Sequence, residues 1–209
     1  MIETCCKLMV EAYDKGLMTS RDGNVSVRNN DQNFFYLSPS NVRKHTLQPD
    51  QFKKLAVYVT EDKKPVELEY TDISRNLKPS GEFPVHFMLQ RKVPSNIPTR
   101  VVMHVHSTYT VAAMHAGIKL DELRNYFPEI ARYTRVAPST LDVPPISWEL
   151  AEACASNLNL DEESGTIGYD IVGIKGHGVV AIDTTPWRAY EHIERLEHIC
   201  KIVLASGKY

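Results

Sequence analysis

The chain has 209 residues, 43% hydrophobic and 24% charged, with a formal net charge of −2. That length supports one domain, residues 1–209, around one substantial core. The near-neutral balance lacks the basic face that general nucleic-acid binding needs, and no run approaches the roughly 18 apolar residues of a membrane span.

Residues 1–17 predict a first helix, with Leu8, Ala12 and Tyr13 on one stripe and Gly16 near its end. Its opening residues have no basic segment followed by an apolar run, so no signal peptide is expected. Cys5, Cys6, Cys154 and Cys200 fit no metal knuckle and read as reduced, buried thiols of a cytoplasmic protein. Arg21-Asp22-Gly23-Asn24 is a turn. Val25 to Arg28 and Phe34 to Leu37 are strands joined across Asn29-Asn30-Asp31. Ser38-Pro39-Ser40-Asn41 leaves the second strand as a tight loop, and Leu55 to Thr60 is a third strand.

Pro79-Ser80-Gly81 breaks the chain before a helix from Glu82 to about Arg91. Val101 to Val105 is a β-branched strand, and a helix from Thr108 to His115 stops at Gly117. Tyr133 to Val136 is a further short strand. Trp148 to Leu158 is helical with Ser147 as N-cap. Two strands, Ile171 to Ile174 and Val179 to Ile182, meet through Gly176-His177-Gly178. The last helix runs from Pro186 to Ala205 and buries Ala189, Ile193, Leu196, Cys200 and Val203. Strands mixed with helices imply an α/β layered domain, and the short connections imply antiparallel pairing. No GxGxxG or GxxxxGK[ST] loop is present.

His104 and His106 are two apart on a strand, so both point to one face while Met103 and Val105 face the other. A lone HxH also fits solvated strand histidines. Two features favour metal: the strand is otherwise apolar, so polar rings on it need a partner, and His177 sits between two glycines that let its turn approach closely. Three neutral imidazoles with one open position suit catalytic zinc, with manganese or cobalt as substitutes. His45, His86, His115, His192 and His198 read as surface or satisfied structural residues.

Four blocks occur in order: Gly23-Asn24-Val25-Ser26, Ser38-Pro39-Ser40-Asn41, Pro79-Ser80-Gly81-Glu82, and His104-Val105-His106-Ser107 completed by Gly176-His177-Gly178. On these the chain resembles the class II aldolase/adducin family from about residue 4 to 206. The resemblance implies a three-layer α/β/α sandwich with a mainly antiparallel central sheet, in a cyclic homotetramer with sites at subunit interfaces. It implies zinc on His104, His106 and His177, and a substrate-phosphate pocket from Gly23, Asn24, Ser40, Asn41, Ser80 and Gly81. Hydroxyls, amides and glycine-exposed N–H groups can wrap a phosphate without net positive charge, and Ser80-Gly81 precedes a predicted helix N-terminus. Asn41 stands where the family usually has glycine, and Gly81 where aldolases have serine.

The implied activity is retro-aldol cleavage of a ketose phosphate through a metal-stabilised enediolate. Glu82 would move the proton, and Tyr126 from a neighbouring subunit would serve the aldehyde side, with Tyr133 as its rival. Glu82 also fits a decarboxylase of a phosphorylated oxo-tetronate, while epimerases of the family carry Asp there. A metal-free, adducin-like interaction module is the non-enzymatic alternative.

Overall fold

The computed structural model describes residues 1–69, 71–140 and 142–207. Its strands are β1 (Asn24–Asn29), β2 (Phe34–Leu37), β3 (Lys53–Val59), β4 (Pro65–Glu69), β5 (Thr99–Val105), β6 (Ile171–Ile174) and β7 (Gly178–Asp183). They form one sheet in the order β4-β3-β2-β1-β5-β7-β6, and every strand pair in it is antiparallel. The helices are α1 (Ile2–Asp14), α2 (Phe83–Gln90), α3 (Thr108–His115), α4 (Pro128–Tyr133), α5 (Trp148–Asn157) and α6 (Pro186–Ser206).

Alternation along β5 divides the helices into two layers. Val101, Met103 and Val105 pack with Leu8 and Met9 of α1, Ala113 of α3 and Ile193 and Leu196 of α6. Val102 faces the other way, with Val85 and Leu89 of α2 and Leu150 and Cys154 of α5. The result is the expected α/β/α sandwich, its central strands buried on both sides and β4 left at an open edge. Fully burying each large aliphatic side chain contributes about 1.5–3 kcal/mol, so these two apolar faces fix the register of β5. His104 shares the Val102 face, on the α2 and α5 side.

Local signals explain most elements. The Ser147 hydroxyl caps α5 by accepting the Leu150 N–H at 3.0 Å, and Thr185 caps α6 through the Arg188 N–H at 3.2 Å. All five stripe residues of α6 are buried, as are the four cysteine thiols. Two segments differ from expectation. Residues 133–136 form no strand: Pro128 starts α4, which runs through Tyr133, and only Val136 makes an isolated bridge to Ile171. β4 has no counterpart among the predicted strands, although Val66-Glu67-Leu68-Glu69 alternates with period two as a strand does. Glu67 and Glu69 pair with Lys53 and Lys54 of β3 at 2.6 and 2.8 Å. Among the described residues, no helix is long and apolar enough to cross a membrane.

Candidate metal centre and adjoining anion pocket

β5 ends at Val105, so His104 lies on the ladder and His106 just past it. His177 sits in the turn between β6 and β7, next to β5. Gly178 makes that placement possible. A Cβ there would overlap the Val105 carbonyl oxygen and lie 3.1 Å from its carbon. The hairpin thus lies against the end of β5 only because residue 178 has no side chain.

One ring nitrogen from each histidine lies within 4.8 Å of the other two, a group that could hold a metal ion. The Nε2 atoms of His104 and His106 stand 3.0 Å apart. Two nitrogens on a tetrahedral cation with ~2.05 Å bonds would be about 3.3 Å apart, so small ring rotations suffice. His104 Nδ1–H donates to the Val179 carbonyl at 2.9 Å, which leaves the Nε2 lone pair aimed at the cluster. Asp22 Oδ2 lies 3.7 Å from His106 Nδ1 as an outer carboxylate. His177 Nδ1 is buried without a hydrogen-bond partner among the described residues. Burial, then the neighbouring rings of His106 and His177, hold His104 well below the ordinary histidine range. Burial also lowers His106, and it pushes His177 down to about 4 with help from His106. All three rings are therefore neutral near pH 7, as metal ligands must be.

The three rings open onto a cavity of about 330 Å³ that also meets Gly23, Asn24, Ser40, Asn41, Ser80, Gly81 and Glu82. Ten of the eleven residues expected at the site thus converge on one space. Tyr126 does not: it is 76% exposed and lines a different cavity. Its rival Tyr133 is also exposed, at the end of α4.

Glu82 is buried at the start of α2, and its Oε1 accepts the Ile146 N–H at 3.3 Å. Burial raises its carboxyl above the usual range, and the Ile146 hydrogen bond opposes that shift. Both departures from the family pattern have local causes. Asn41 adopts φ 60, the left-handed backbone that glycine and asparagine tolerate. Gly81 faces Ile146: a Cβ at 81 would lie 3.1 and 3.2 Å from its Cδ1 and Cγ2. Ile146 occupies the space of the missing serine side chain and is itself strained at φ 58, where β-branched residues rarely sit.

Sequence reasoning missed Lys44, which reads as part of a polar loop. It is 1% exposed and meets the same cavity. Its ammonium donates to the carbonyls of Val42 at 3.1 Å and Pro39 at 3.4 Å, holding the Ser40-Asn41 turn. Burial lowers it to about 8 despite the pull of Asp22. No local signal marks it, because its burial depends on the turn that brings the Pro39 and Val42 carbonyls to its ammonium.

The profile of the Class II Aldolase and Adducin N-terminal domain matches residues 3–204, and the chain belongs to that family. The L-fuculose phosphate aldolase of Methanococcus vannielii is 26% identical over 193 residues, covering 91% of this chain and 88% of the relative. A sugar-phosphate aldolase from Thermotoga maritima superposes with TM-score 0.77 at 21% identity, over 99% of this chain and 97% of the other. YgbL of Escherichia coli, a candidate aldolase/epimerase/decarboxylase, gives TM-score 0.76 at 20% identity over 99% and 89%.

Proposed function

We propose that this protein is a zinc-dependent aldolase that cleaves a ketose phosphate by a retro-aldol reaction. The observation that carries the reading is the convergence of three neutral imidazoles and a buried carboxyl on one cavity with hydroxyl, amide and ammonium donors. His104, His106 and His177 would hold the ion, with manganese or cobalt able to substitute. A divalent cation there supplies Lewis-acid stabilisation of the negative charge that develops when the carbon–carbon bond breaks.

The chain's own groups then have distinct tasks. Asn24, Ser40 and the N–H groups around Asn41, Ser80 and Gly81 bind the phosphate, and Gly23 lets the first turn close behind Asn24. Lys44 contributes a nearby positive charge, so the pocket does not depend on neutral donors alone. Glu82 carries the proton to and from the reacting carbon. Its carboxyl is raised by burial, which brings it closer to a proton donor's working range. Tyr126 would act on the aldehyde side only from a neighbouring chain of a homotetramer, given its exposure.

The test is a panel of ketose phosphates and oxo-tetronate phosphates given to zinc-loaded protein. Dihydroxyacetone phosphate with an aldehyde is the expected product set, and metal analysis should find about one zinc per chain. Carbon dioxide without dihydroxyacetone phosphate would assign a decarboxylase. Epimerised substrate would assign an epimerase. A folded, metal-free protein inert toward all of them would assign an interaction module.

A further inference from the structure

A buried relay of side chains runs from α2 into the cavity. Gln90 and His86 lie on one face of α2, four residues apart, and both are fully buried. Gln90 Nε2 lies 3.2 Å from the Arg100 carbonyl and 3.0 Å from Ser26 Oγ. A carbonyl only accepts, so that end of the glutamine is the NH₂ group, and Ser26 Oγ accepts from it. The single Ser26 hydrogen must then go to its other partner, His86 Nδ1, at 2.7 Å. The ring is neutral, because burial lowers it to about 3 and no carboxylate among the described residues touches it. Its one proton therefore sits on Nε2 and is donated to Asn24 Oδ1, the remaining partner. Among the described residues Asn24 Nδ2 has no hydrogen-bond partner, and Asn24 is on the cavity wall.

We infer that His86 is a positioning residue which, through Asn24 Oδ1, turns the Asn24 amide so that only N–H donors face the substrate pocket. The opposite flip would break the relay in one of two ways. With the ring proton kept on Nε2 it would set two donors against each other at His86; with the proton moved to Nδ1 it would leave the buried Ser26 hydrogen without an acceptor, and either is an expensive fault. The pocket is thereby committed to a ligand that accepts, such as a phosphate oxygen, and rejects one that donates at that point. This inference rests on the sugar-phosphate reading of the cavity for its ligand, but the relay itself can be tested apart from turnover.

Two measurements on the zinc-loaded full chain test it. A ¹H–¹⁵N spectrum of the histidine rings should find the His86 proton on Nε2 and none on Nδ1, unchanged between about pH 5 and 9; a proton on Nδ1 overturns the relay. Inorganic phosphate is then titrated calorimetrically. His86→Leu should weaken phosphate about tenfold, whereas His86→Gln, which restores a donor near the Nε2 position, should recover most of that loss. If His86→Leu is folded and binds phosphate as the wild type does, or if the wild type binds no phosphate, the inference fails. Intact phosphate binding and Nε2 protonation, with no turnover of any sugar phosphate, would sink the aldolase reading and leave the relay standing.

Discussion

Replacing Lys44 by methionine separates the cost of a buried charge from its use. The ordinary lysine value is 10.5 and the folded value about 8. A tenfold change in a protonation equilibrium corresponds to about 1.4 kcal/mol, so the buried ammonium costs the fold about 3 kcal/mol when charged. The folded value is the lower one. Between about pH 8 and 10.5 the unfolded chain therefore holds a proton that the folded chain has released, and stability rises with pH across that window. Below about 8 both states are protonated and the full cost remains. Methionine removes the charge but also two hydrogen bonds to the Pro39 and Val42 carbonyls, worth about 1 kcal/mol each at any pH. Lys44→Met should then be more stable than wild type by about 1 kcal/mol at pH 7, and less stable by about 2 kcal/mol near pH 10.5. Urea denaturation of both proteins at the two pH values measures this, and titrations common to both cancel in the difference. Phosphate should protect the wild type more than the variant. A stability difference that is the same at both pH values refutes the assigned burial cost.

Two further predictions address the metal centre. Glu82→Gln should cut turnover about 10²–10⁴-fold while zinc content, read by elemental analysis, stays at the wild-type level. Loss of zinc with it would make Glu82 a ligand or a determinant of the fold. Gly178→Ala forces a methyl into the Val105 carbonyl, a backbone group that cannot step aside. It should cost about 1–3 kcal/mol in denaturation and lower zinc affinity in competition with a chelator, because His177 leaves with its hairpin. Unchanged affinity would detach the hairpin's fit from the site.

The parts of this molecule that are legible in the sequence rest on short-range rules. Period-two alternation puts His104 and His106 on one face, and flanking glycines single out His177. The Ser147 cap, the Pro186 start and the α6 stripe have the same origin. The segments that escape such rules depend on long-range packing. Lys44 looks solvated among Arg43 and His45 until the turn folds beneath it. β4 alternates locally, but its pairing with β3, with the ion pairs that cross between them, is a long-range choice that local periodicity does not encode. Ile146 has no local signal for φ 58; its strain follows from its packing against Gly81 and its hydrogen bond to Glu82. Tyr126 projects away from the chain's own cavity, so one chain's sequence does not reveal what it meets.

The pairing of β5 with β7 carries a liability that is easy to overlook. A slip of one residue would send His104 into the layer beneath α1, α3 and α6 and lift Met103 or Val105 into the cavity in its place. The oily residues on either side of the sheet are thus what keep three nitrogens aimed at a single point. Damage to the packing of Val102 or Met103 would be felt first as a loss of chemistry, well before the chain came apart.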